Sequence, residues 1–193
     1  MKKYILILGA LICFSALFAA NGAKKAAPKA SSLVFNGKTF YLKYSAGTES
    51  EWLNEFLPKG ATFTNYTEMV ALRSYDSLKD ATPIQVAQAI AANYQRAYPG
   101  IKFMLAGNEK TGDGLVSYIM IQGDILEYNL FRTTLKNKTP ISIQYVYRKY
   151  VPQATRTPAD LKAFSGETKQ HSSTWINALD ALSAPDMVRD VIK

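Results

Sequence analysis

The sequence predicts an α+β fold: a single domain whose antiparallel β-sheet carries one central helix and C-terminal helices packed on it. Three observations predict this. Short runs of β-branched and aromatic residues recur between Leu33 and Tyr150, divided by Gly, Asn, Asp and Pro turns. A single amphipathic stretch, Pro83 to Tyr98, interrupts them behind a Thr-Pro start. After Tyr150 the chain becomes polar and helical, and no repeat period appears in its 193 residues.

The chain opens with Lys2 and Lys3 before an apolar run from Tyr4 to Ala20 and the small residues Ala19, Ala20, Gly22 and Ala23. That order is the pattern of a secretory signal peptide, so residues 1–23 are expected to be cleaved. The protein is then exported, either periplasmic or secreted, with no stable membrane span left after cleavage. Lysine, alanine, proline and serine from 24 to 32 offer nothing to bury and predict a flexible linker, and 33–193 form the domain.

Within the domain, Leu33-Val34-Phe35 and Thr39-Phe40-Tyr41-Leu42 flank Asn36-Gly37, the pair best suited to the positive φ angles of a tight hairpin. Glu51 to Leu57 alternates Trp52, Asn54 and Phe56 with Leu53, Glu55 and Leu57, with Trp52 expected in the core, and Pro58-Lys59-Gly60 ends it. Thr62 to Tyr75 is a further β-rich stretch. Thr82 is a natural N-cap and Pro83 a natural first helical residue, after which Ile84, Val86, Ala87, Ile90, Ala91 and Tyr94 form one apolar face. Strands are expected at Ile101 to Ala106, Gly114 to Gln122, Ile125 to Thr134 and Ile141 to Tyr150. Their short connections favour an antiparallel meander. Thr157-Pro158 starts another helix that should stop near Gly166, and Ser172 or Ser173 should cap a last one containing Trp175, Ile176, Leu179 and Leu182.

The turn Leu57-Pro58-Lys59-Gly60 followed by Asn65-Tyr66-Thr67-Glu68-Met69, together with the order of elements from Phe40 to Tyr150, resembles the PsbP-like and DcrB-like group of exported α/β/α sandwiches. The resemblance implies an accessory or binding protein rather than an enzyme. It transfers no functional residue.

No catalytic, metal-binding or cofactor signature stands in the sequence, so no catalytic residue, metal ligand or cofactor is assigned. His171 is the single histidine and is expected in a surface loop rather than in a triad. Asp113 and Asp124 sit in glycine-bearing turns that offer too few oxygens for calcium. Glu49, Glu51, Glu55 and Glu68 have no fixed separation and read as carboxylates on exposed strand faces. The chain carries 23 basic and 15 acidic side chains; losing Lys2 and Lys3 leaves 21 against 15, a moderate +6. That charge and the export signal disfavour nucleic acid.

Tyrosine is abundant, 12 residues, and gathers with base in Tyr145-Val146-Tyr147-Arg148-Lys149-Tyr150. Strand alternation puts Tyr145 and Tyr147 on one face, where packing under a helix competes with a role in binding. Tyr145, Tyr147, Arg148, Lys149 and Tyr150 are therefore the candidate partner-binding residues. The functional expectation is an exported non-catalytic protein that binds a protein or envelope component through a sheet face or one end of the sandwich. A carrier of a small apolar ligand and a hydrolase without a recognisable motif are the alternatives. Because Cys13, the one cysteine, lies in the leader, reductant should leave the melting temperature of the domain unchanged in a thermal melt. A clear drop would reveal a disulfide between uncleaved copies.

Overall fold

The computed structural model describes residues 31–192, so the expected signal peptide and all but the end of the expected linker lie outside the described residues. The fold is α+β. Eight strands form one antiparallel sheet: β1 (Ser32–Phe35), β2 (Lys38–Gly47), β3 (Glu51–Pro58), β4 (Glu68–Tyr75), β5 (Phe103–Gly107), β6 (Gly114–Gln122), β7 (Ile125–Lys136) and β8 (Thr139–Tyr150). Helix α1 (Pro83–Ala97) joins β4 to β5, and α2 (Pro158–Ala181) follows β8. The strand order is β1-β2-β3-β4-β8-β7-β6-β5, two four-stranded meanders joined where β4 meets β8.

Local chemistry sets the element ends. Asn36 and Gly37 both adopt positive φ, +48° and +74°, and close the β1–β2 hairpin. Thr82 caps α1 in a capping box with Gln85, and Pro83 fills the first turn. Thr157 and Asp160 repeat the arrangement on α2. Gly114 admits no side chain: a Cβ there would lie 2.6 Å from Thr133 Oγ1 and 2.7 Å from Ala87 Cβ, so this glycine lets α1 sit close on the sheet.

The two helices cover opposite faces. On the α2 face, Phe164, Trp175 and Leu179 pack with Phe40, Phe56, Leu72, Leu130, Ile143 and Tyr145 in the main core. On the α1 face, Val86, Ala87 and Ile90 pack on Val116, Tyr118 and Phe131. A third cluster of Leu57, Tyr66, Met69, Ala71 and Val146 lies under the loop 59–67.

Three sequence expectations are corrected. The stretch from Thr62 forms turns until Glu68, because the Asn65 Oδ1 accepts hydrogen bonds from Thr62 N and Oγ1 at 2.8 and 3.0 Å and holds a local loop. The two expected C-terminal helices are one, which runs through Gly166, Ser172 and Ser173. Gly166 faces open space, and the buried stripe Phe164, Thr168, Trp175 and Leu179 continues on both sides of it. Trp52 is half-buried against Gly47 rather than in the core.

Ile90 is buried, so Ile90→Ala should cost about 2–5 kcal/mol in denaturant unfolding. Trp52→Ala should cost clearly less despite the larger group removed. Equal losses would mean that the indole is buried as deeply as Ile90.

Candidate functional site

Topology leaves part of one sheet face without a helix. Helix α1 packs on β5, β6 and β7 and only touches β8, so the same face over β3, β4 and most of β8 has only the loop 59–67 above it. The register fixes what stands there. Leu53, Arg73 and Ser142 form one row across β3, β4 and β8, and Glu55, Ala71 and Gln144 form the next. Asn129 and Glu127 of β7 lie opposite Val146 and Arg148.

These side chains make a polar seam. Gln144 Nε2 donates to Asn129 Oδ1 at 2.7 Å, and Asn129 Nδ2 donates to Glu127 Oε1 at 2.9 Å. The other oxygen of Glu127 accepts from Arg148 through Nε at 2.8 Å and through Nη2. Asn129 and Glu127 are buried, and Gln144 is half-buried at the open end of the chain. The Arg148 guanidinium lies 4.0 Å from the centre of the Tyr66 ring, and its backbone N–H donates to Thr67 O at 2.8 Å. The loop is thus held by a cation–π contact and a strand-like hydrogen bond.

Across the small Ala71 stands Glu55, half-buried and opposite Tyr44 of β2. Burial pushes its carboxyl up to about 7 against the opposing pull of Arg73. Arg73 Nη1 donates to Glu51 Oε1 at 3.0 Å. Phe63 meets Tyr44 edge-on at 6.4 Å and is 43% exposed, an aromatic rim beside the polar floor. The arrangement can accept and donate hydrogen bonds and carries both charges.

The five candidate residues of β8 are not brought into one surface. Tyr145 is fully buried between Phe35 and Trp175, with ring centres at 4.7 and 5.2 Å, and its hydroxyl donates to Glu68 at 2.8 Å. Tyr147 stacks on Phe164 at 5.9 Å and donates to Glu167, which also binds Lys149. Arg148 and Tyr150 point to the opposite face, where the Tyr150 hydroxyl donates to Tyr66 O at 3.0 Å. Alternation along one strand splits the set.

The other candidates are also placed. His171 is on α2, not in a loop, exposed with its ring 5.5 Å from Trp175. Asp113 pairs with Arg132 at 2.7 Å, whereas Asp124 lies beyond the other end of β6 and accepts from Gln153 N. Of the four glutamates, Glu51 and Glu55 face the seam, Glu68 faces α2 and takes Lys38 and Tyr145, and Glu49 is exposed in a turn. Among the described residues no His, Cys, Asp or Glu group is arranged to hold a metal, and no helix is long and apolar enough to cross a membrane. An open depression of about 520 Å³ lies between the β5–β6 turn and the end of α2, lined by Asn108, Lys110, Asp113 and Asp180 among others. Its openness to solvent is unlike an enclosed apolar carrier site.

Comparison with known proteins adds a family. A protein-family model matches residues 26–184. The chain belongs to that family. The solved structure of a protein of unknown function, PA94 from Pseudomonas aeruginosa, aligns over 82% of this chain and 99% of its own, at 13% identity and a TM-score of 0.40. That likeness carries no functional argument. No curated protein matches the chain.

Glu55 makes the seam pH-sensitive. A carboxyl that titrates near 7 when folded, against an ordinary 4.5, binds its proton more tightly in the native state. Its stabilising contribution is whole below 4.5 and is lost as pH rises through 7. Glu55→Gln should therefore flatten the decline in unfolding free energy between these values and leave the variant roughly 1–3 kcal/mol more stable than wild type at about pH 8. Parallel stability–pH curves for the two proteins would show that the carboxyl ionises normally.

Proposed function

We propose that the protein is an exported, non-catalytic binding domain that takes a protein or envelope component on the uncovered part of its α1 face. The observation that carries this reading is the half-buried trio Glu55, Arg73 and Gln144, grouped around the small Ala71 on the sheet with no helix above and an exposed aromatic, Phe63, at the rim. Half-buried polar groups beside an exposed aromatic are what a specific interface offers to a partner. The secretory pattern of the first residues supports export, and the resemblance to the PsbP-like and DcrB-like group supports an accessory role.

The test is capture from an envelope extract of the source organism on the immobilised domain, with retained proteins identified by mass spectrometry. Wild type should hold one specific, salt-resistant partner. The double variant Phe63→Ala/Gln144→Ala should lose it, and Lys149→Ala, which alters the α2 side of β8, should keep it. Loss with Lys149→Ala and retention by the double variant would move the interface to the opposite face, and an empty wild-type column would sink the reading.

A further inference from the structure

On the α2 face the end of the chain is bound as a peptide ligand is bound. After α2 it runs as an irregular strap from Leu182 to Ile192 past the ends of β2 and β3. Asn54 of β3, fully buried, closes two hydrogen bonds on the backbone of one residue: its Nδ2 donates to Val188 O at 2.8 Å, and Val188 N donates to its Oδ1 at 2.7 Å. Ser45 of β2, also fully buried, donates from Oγ to Val188 O at 3.0 Å. Four residues on, Ser45 N donates to Ile192 O at 3.0 Å and Ile192 N donates to Ser45 O at 2.8 Å. Between these backbone clamps Arg189 meets Asp76 through both terminal nitrogens, each at 2.9 Å, and holds that carboxyl below its ordinary range.

Two buried polar side chains stand on inward strand positions beneath the strap. Asn54 and Ser45 share a strand pair and hydrogen-bond each other at 2.9 Å; Asn54 Nδ2 also reaches Leu53 O at 3.0 Å, and the other contacts of both side chains go to the strap's backbone. A side-chain amide that pairs with a main-chain N–H and C=O together selects an extended peptide and not a particular side chain. The neighbouring Asp76 then selects arginine at the next position, by a two-pronged contact that lysine does not reproduce.

We propose that this groove is a peptide-binding site, occupied in cis by the chain's own Val188–Ile192 and open in trans to an extended segment of a partner protein. That segment carries arginine directly after the residue clamped by Asn54 and a free backbone N–H three residues beyond the arginine. The site lies on the opposite face of the sheet from the polar seam and stands or falls independently of it.

The probe is a fluorescein-labelled synthetic peptide with the sequence of residues 184–192, titrated against the full chain and read by fluorescence anisotropy. In the full-chain variant Val188→Pro/Arg189→Ala the strap loses a clamped N–H and its ion pair, which raises the fraction of open groove. The peptide should bind that variant at least ~10-fold more tightly than wild type, since apparent affinity scales with the fraction of competent site. A peptide carrying the same two substitutions should compete poorly with the labelled one, a control that leaves the protein untouched. Adding Asn54→Ala to the strap variant should abolish binding where circular dichroism shows it folded. A folded strap variant that binds the peptide no better than wild type, or that binds the substituted peptide equally well, overturns the proposal.

Discussion

The antiparallel pairing of β4 with β8 is the constraint on which the rest of the fold depends. Glu68 meets Tyr147 and Ser74 meets Ile141, so one seam closes the whole excursion through α1, β5, β6 and β7. Closing so long a loop costs entropy, although that cost grows only logarithmically with length. Burial offsets it, since Val70, Leu72, Ile143 and Tyr145 of the two strands are all excluded from solvent in the main core. The seam also decides where helices can lie. Because β4 is central and β5 is an edge, α1 must travel outward across one face and comes to rest on β5 to β7, while α2 leaves β8 at the centre and folds onto the other face. The helix-free patch over β3, β4 and β8 follows from strand order.

A patch left without a helix must still meet the needs of the sheet beneath it. Near the loop 59–67 the positions are apolar, and Tyr66 closes over Met69, Ala71 and Val146. Farther along they are charged or amide. Within the buried part, Glu127 and Arg148 satisfy each other and Asn129 takes up the remaining carboxylate oxygen. Such a buried pair is weak evidence for stability, because desolvation of both ions opposes their attraction. Its effect here is orientation: with Glu127 fixed, Asn129 presents one oxygen to Gln144, and Arg148 is held flat against Tyr66. Arg132 plays a comparable part on the α2 side, where it pairs with Asp113 and donates to the carbonyls of Leu179, Asp180 and Leu182, satisfying the exposed end of α2.

Turn and cap signals in the sequence act locally and place their elements, although the Asn65 loop at Thr62, equally local, lies inside a run of strand formers. Asn36-Gly37, Thr82-Pro83 and the alternation of Glu51 to Leu57 each act through neighbours within a few residues, and each element stands where those residues place it. Gly166 misled for the same reason. A helix-breaking preference of about 1 kcal/mol is a local term, and the packing of Phe164 and Trp175 on Tyr147 and Tyr145 outweighs it. The polar seam was hidden because its members come from four strands and meet only through register: nothing near Glu55 in the chain announces Gln144. The tyrosines of β8 drew attention by composition, yet alternation sends Tyr145 and Tyr147 into the core under α2. What does remain legible afterwards is the anomaly itself, a Glu or Asn at a position where alternation calls for an apolar side chain.

Asn54 is the sharpest such anomaly, and energetics explain why a strap suits it better than a hydrophobic plug. Ordering an extended segment costs about 1–2 kcal/mol per residue in backbone entropy, while each neutral hydrogen bond returns only about 0.5–1.5 kcal/mol net. The strap makes its hydrogen bonds at Val188, Arg189 and Ile192, adds Lys136 to Ala184 O at 2.6 Å, and buries little apolar surface beyond Leu182, Ala184 and Met187. Hydrogen bonds of that size do not by themselves offset the ordering of eleven residues, which places the strap among the parts of the molecule that open with the least free energy. The groove beneath has the opposite character. Asn54 belongs to β3, which is paired on both sides, with Ser45 and Leu72 opposite it whether or not the strap is seated; Ser45 lies beyond the pairing of β2 with β1, and its outer edge is what Ile192 takes. A rigid polar clamp under a marginally held segment favours exchange of that segment, because the penalty for leaving Asn54 unpaired in a dry site falls on the empty state and not on any particular occupant.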